Sequence, residues 1–179
     1  LLFDNELLAI TQRLASREDD ESIRGLEIRQ DLIEVLEESS LVYRNRIWPE
    51  QKKQNASWIE KTTAELRKDG PAVQSLLEKT LQRKIIAHPY RVDVVHVANW
   101  GGAYTSSILT HTVISSGNRD DDNWRVELMF HEALHAGAFN DIETALSKEF
   151  QKRNRNDKGK LWHALHFFTV GEAVRDVFH

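Results

Sequence analysis

Phe130-His131-Glu132-Ala133-Leu134-His135-Ala136 is the stretch from which the chain can be read. It contains H-E-x-x-H, and on a helix two histidines four residues apart lie one above the other on a single face. Their imidazoles can converge on one metal ion at about 2 Å from each nitrogen, and Zn²⁺ is the ion that best suits such donors. Glu132 lies one residue round from His131, so it is placed to hold and deprotonate a water rather than to ligate. The preceding Val126-Glu127-Leu128-Met129-Phe130 is strongly apolar. A chance match would more often fall on an exposed, charged helix, so this context favours a buried metal site.

Working outward, 179 residues with 40% hydrophobic and 29% charged side chains suit one globular domain, or one catalytic domain with a helical extension. A formal charge of -4 carries no electrostatic footprint for nucleic acid. No apolar run reaches the length of a membrane span. The absence of cysteine removes disulfides, thiolate zinc sites and a cysteine nucleophile together. It is compatible with either side of a membrane. The chain starts Leu1-Leu2-Phe3-Asp4 without an initiator Met. An upstream signal, if removed, would favour a secreted or periplasmic protein.

The expected class is α+β, predominantly α-helical. Residues 1–87 read as an N-terminal helical part and residues 88–179 as a catalytic part, the two forming one compact unit. Leu7, Leu8, Ile10 and Leu14 make a short apolar stripe, ended by the acidic run from Glu18 to Glu21. A long amphipathic helix is expected from Ile23 to about Arg46, burying Leu26, Ile33 and Leu36. Pro49 fits the first turn of the next helix, Gly70 its end, and Pro71 the start of another carrying Val73, Leu76, Leu77 and Leu81. The charged residues of this part read as solvated helix faces.

The character changes near His88-Pro89-Tyr90. Arg91 to Val97 alternates polar and β-branched residues, as a half-buried strand does. Residues 99–104 read as a turn or irregular edge, and Ile108 to Ile114 as a second strand, pairing with the first as an antiparallel hairpin. Helix returns after Asp120-Asp121-Asp122-Asn123, where the aspartates read as a cap rather than a calcium loop, because the other calcium ligands are lacking. That helix breaks near Gly137, another starts near Asp141, and Lys152 to Lys160 reads as a solvated basic turn. Leu161 to Asp176 is apolar and holds further candidate ligands.

A catalytic zinc site has three protein ligands and an open position. Glu172 is the leading candidate for the third, on a second helix packed antiparallel to the first. Asp176, one turn on, is placed to accept the free N–H of a ligand histidine. With Gly171-Glu172-x-x-x-Asp176 downstream of H-E-x-x-H, the chain resembles the zincin metallopeptidases, in particular the gluzincin branch. The resemblance covers two short helices. It implies His131, His135 and Glu172 as ligands, Glu132 as general base and Asp176 as the histidine's partner.

Two alternatives stay open. His163 and His166 are neighbours on one helix, but on an unbroken helix they would point about 180° and about 120° away from Glu172. Serving the same site as Glu172 would need a break, for which Thr169-Val170-Gly171 is the place. Either histidine could instead stabilise an oxyanion, a role related peptidases give to His or Tyr, and His166 is assigned it here. Asp141 falls where metzincins carry their last ligand, yet the pattern's glycine falls on Ala138 and no Met follows. Helix capping accounts for Asp141 as well.

The resemblance also implies a strand along the cleft that pairs with a peptide or protein substrate. Ile108 to Ile114 is placed for this, with Tyr104 and His111 as outside candidates for carbonyl polarisation. The expected function is therefore a zinc-dependent metallopeptidase in which Glu132 takes a proton from a zinc-activated water and passes it to the leaving amine. The alternative is a non-catalytic zinc-containing binding or regulatory protein of similar fold, whose metal shell is closed by protein ligands. Substrate preference and oligomeric state are not legible in the sequence.

Overall fold

The structure is a computed structural model and describes residues 10–11, 13–14, 22–85, 91–98, 102–106, 111–117, 122–156 and 161–178. The expected stripe residues Leu7 and Leu8, the acidic run 18–21, His88 to Tyr90, turn residues 99–101, strand residues 108–110, Asp120, Asp121 and Lys158 to Lys160 lie outside them. The chain divides into two units, residues 1–53 and 54–179.

In the first unit, residues 22–29 form turns rather than the expected helix. Gly25 takes φ +86°, a left-handed conformation that interrupts a helix. Helix α1 (Gln30–Val42) follows, with Ile33 its buried residue. A π-helical turn (Tyr43–Ile47) leads to α2 (Trp48–Lys68), which has Pro49 in its first turn, and the boundary between the units falls inside α2.

The second unit holds the remaining elements. Helix α3 (Gly70–Leu81) opens on Pro71 and ends at Gln82, in the left-handed conformation. Three strands follow, β1 (Arg91–Val95), β2 (Ala103–Ser106) and β3 (His111–Ser115), then helices α4 (Asp122–His135), α5 (Asn140–Lys152) and α6 (Leu161–Phe178). The α+β, predominantly helical class is as expected.

The sheet differs from the hairpin expected. Its order is β1-β3-β2; β1 and β3 are parallel, and β2 is antiparallel to β3. Parallel pairing needs a connection of about a dozen residues or more, and the 15 residues between Val95 and His111 (111 − 95 − 1) supply it. They include β2, which has only four residues and follows Gly102 at φ +106°. So short a segment gives too little alternation to be told from a turn. In consequence β3, expected to border a cleft, is the central strand and is buried at every position.

Helix α4 is the hub because it is apolar on more than one side. Val126, Phe130 and Leu134, each four residues on, pack with Val73 and Leu77 of α3 and with Val170, Ala173 and Val174 of α6. Leu128 joins Trp58 of α2, Ala103 of β2 and Ile114 of β3 in a second cluster. Burying each such side chain contributes about 1.5–3 kcal/mol. Arg125, also buried on α4, is paired with Glu65 of α2. Asn55 of α2 donates to the Val94 carbonyl at 3.0 Å and accepts from Ser116 at 2.6 Å. The lower part of α2 is thereby tied to the sheet well before residue 88.

Helix α6 runs unbroken through Thr169-Val170-Gly171. The Thr169 hydroxyl donates to the Leu165 carbonyl at 2.7 Å, one turn back, so it stays within the helix. Gly171 is buried where a Cβ would stand 3.3 Å from Glu127 Oε1, and the bare backbone lets α6 approach α4.

Candidate metal centre

The last turn of α4 meets the first two turns of α6 in a cluster of four histidines. Nε2 of His131 and Nε2 of His135 are 3.1 Å apart. Two nitrogens on one tetrahedral ion at about 2.05 Å would be about 3.3 Å apart, so the spacing is already close to a ligating one. His163 from α6 completes a group whose ligand atoms all lie within 4.8 Å of one another. These three residues could hold a metal ion.

His166 is fully buried, at 0% exposure. Its ring stacks on His131 with centroids 4.1 Å apart, and on Phe139 at 4.7 Å. Neither of its ring nitrogens has a hydrogen-bond partner, and the same holds for His131 Nδ1. A buried polar atom without a partner costs on the order of 1–3 kcal/mol. Several in one cluster of imidazoles are what a donor set for a metal looks like without its ion. The residues present therefore fit a metal.

Burial also sets the protonation of the cluster. It holds His135 down to about 4 and His166 to about 3, and with the neighbouring histidines it holds His131 to about 2. At neutral pH these rings are uncharged, the state that ligates.

Glu132 is 4% exposed and points to the other side of α4, towards the sheet. Burial raises its carboxyl to about 7, against the opposing effect of a hydrogen bond from Thr105. Thr105 Oγ1 lies 2.7 Å from Glu132 Oε2, 3.0 Å from the Glu132 carbonyl and 2.8 Å from Thr112 Oγ1. Thr105 and Thr112 are register partners on the face of the sheet that meets α4.

The other expected site residues are placed as follows. Glu172 is not in the cluster: its side chain is 48% exposed and pairs with Arg175. Asp176 is exposed on the same outer face. The cause is the unbroken helix, since nine residues at about 100° each set His163 and Glu172 on opposite sides. His166, assigned to an oxyanion, instead sits beneath His131 with no face open to solvent. Asp141 is 80% exposed, in the first turn of α5, and pairs with Arg83 at 3.0 Å.

Tyr104 and His111 belong to the opposite face of the sheet from Thr105. Tyr104 is in register with Val113 and Asp93, and His111 with Arg91. His111 Nε2 lies 2.7 Å from Asp93 Oδ2, and Arg91 Nε donates to Asp93 Oδ1 at 2.8 Å. Burial, then the charge of Asp93, pushes the Tyr104 hydroxyl up.

Sequence reasoning ranked His163 below Glu172 and did not single out Thr105 or Thr112. A signal for His163 was present. The apolar stripe Val170, Ala173, Val174 and Val177, extended back by one and two turns, lands on His166 and His163. No such signal marks the threonines, because strand threonines are common and β2 read as a turn.

Comparison with family models, with curated proteins and with solved structures finds no match for this chain.

Proposed function

We propose that this protein is a zinc-dependent metallopeptidase of zincin type in which His131, His135 and His163 hold the ion and Glu132 is the general base. The observation that carries the reading is the convergence of the H-E-x-x-H histidines with His163, on the same helix as the buried carboxyl of Glu132, which burial raises to about 7. Bound zinc would supply Lewis acidity for a substrate carbonyl and a lowered pKa for a water in its shell. A ligand set of three neutral imidazoles leaves the ion's full positive charge in place for that work.

The protein's own groups do the rest. Glu132, poised near neutrality, takes a proton at its carboxylate from the attacking water and returns it to the leaving amine. The burial of Glu132, 4% exposed, keeps the local dielectric low and strengthens each charge interaction. Peptide or protein is the substrate this chemistry serves. Among the described residues no helix is long and apolar enough to cross a membrane.

The test is Glu132→Gln. The variant keeps the zinc stoichiometry of the wild type and loses hydrolysis of fluorescein-labelled casein by about 10²–10⁴-fold. Turnover at the wild-type rate in that variant overturns the mechanism. One observation favours a second reading, a zinc-containing binding protein without turnover: the unpartnered nitrogens of His166 lie against His131 and could supply a fourth ligand. X-ray absorption of the zinc-loaded protein separates the two, with four imidazoles supporting a closed shell and three imidazoles plus one oxygen supporting the peptidase.

A further inference from the structure

The hydroxyl of Thr105 occupies a position that packing alone does not require. It has one hydrogen and three oxygens within 3.0 Å: Glu132 Oε2, the Glu132 carbonyl and Thr112 Oγ1. Thr112 is fully buried behind it. With the Thr112 hydroxyl donating to Thr105 Oγ1, the Thr105 hydrogen is left for Glu132 alone.

The backbone of Glu132 is within reach of that hydrogen as well. Helix α4 ends at His135, and the Ala136 amide lies 3.2 Å from the Ala133 carbonyl. The Glu132 carbonyl is in the last turn of the helix, where carbonyls take partners from outside it, and Thr105 Oγ1 lies 3.0 Å away. One hydroxyl on β2 thus reaches both the end of the helix backbone and the side chain of the same residue.

We propose that Thr105, backed by Thr112, is the positioning residue for Glu132, fixing the carboxylate relative to the histidine cluster by tying the last turn of α4 to the sheet. This rests on the reading of Glu132 as general base. Whichever proton state Glu132 holds, Thr105 keeps a partner on it. An ionised carboxylate accepts the hydroxyl hydrogen. A protonated one donates to Thr105 Oγ1, and the hydroxyl hydrogen turns to the carbonyl. A valine of the same shape keeps the packing and removes both options. A serine removes a methyl group and keeps both.

The experiment compares Thr105→Val with Thr105→Ser, both zinc-loaded, by casein hydrolysis, zinc stoichiometry and crystal structure. The expected result for Thr105→Val is full zinc occupancy, a Glu132 carboxylate displaced by about 1 Å, and kcat lowered about 10–100-fold with KM little changed. Thr105→Ser restores the carboxylate position and most of kcat. Wild-type kcat in Thr105→Val with Glu132 unmoved overturns the proposal. So does a loss in Thr105→Ser equal to that in Thr105→Val, since that assigns the effect to the methyl group. Thr105→Ala takes the place of a Thr105→Val protein that does not fold. If the wild type itself does not cleave casein, the peptidase reading fails separately, and the Glu132 position in the two crystal structures still decides the role of Thr105.

Discussion

Two groups of buried histidine lie in the second unit, and they are built on opposite terms. His111 on β3 is complete within the protein: its Nε2 meets Asp93, and Asp93 is held in turn by Arg91. The cluster on α4 and α6 is not. His166 has no hydrogen-bond partner on either nitrogen and His131 has none on Nδ1, although both residues are buried. Folding removes water from both groups, but only the first replaces water's hydrogen bonds. The contrast separates a histidine paired with a carboxylate from histidines that could hold a metal. A buried imidazole with its own carboxylate is a strut, whereas buried ring nitrogens such as those of His166 and Nδ1 of His131, without hydrogen-bond partners among neighbouring imidazoles, belong to a group that could hold an ion.

The comparison can be broken most directly at His163. Replacing it with Ala should lower zinc affinity by about 100-fold or more in a competition titration with a chromogenic chelator, a loss at least as large as removal of an outer-shell partner brings. Retained affinity would hand the third position to another residue. Next in size is the pH dependence of the metal-stripped protein. His131, His135 and His166 are held neutral in the folded state and regain ordinary values near 6.5 on unfolding. The unfolded chain then binds more protons than the folded one between pH 6.5 and about 4, so stability falls as pH falls through that window. The loss is at most about 1.4 kcal/mol per pH unit for each such histidine. Urea unfolding at pH 7, 6, 5 and 4 measures it, and a flat profile would show that the cluster is not buried as described.

At the strut, His111→Ala should cost roughly 1–3 kcal/mol in urea unfolding, because Asp93 loses a partner. Zinc affinity should stay at the wild-type value, and a loss there would merge the two groups. The smallest effect belongs to Glu172→Ala. With its side chain half exposed on the outer face of α6, it should change stability by no more than about 0.5 kcal/mol and leave zinc affinity unaltered. A large loss of affinity would restore Glu172 to the centre.

Much of the fold was legible. The helix start at Pro49, the strand from Arg91, the end of α4 before Gly137 and the helix beginning near Asp141 all follow from local turn and capping chemistry, which a short window of residues contains. Less legible were features that depend on distant partners. Parallel pairing of β1 with β3 is decided by what lies on each face of the sheet. The assignment of Ala103–Ser106 to a strand depends on β3 being there to bond it.

In the site, the sequence by itself determined that His131 and His135 share a helical face, that Glu132 does not point with them, and that Glu172 and His163 cannot both face α4 on an unbroken helix. Those are consequences of a 100° step per residue and hold wherever the helix is put. Only the tertiary structure decided which side of α6 turns inward. That choice is made by Val170, Ala173, Val174 and Val177 packing against the α3–α4 core, with Gly171 permitting the close approach. The apolar stripe carries His163 and His166 in with it and leaves Glu172 in solvent.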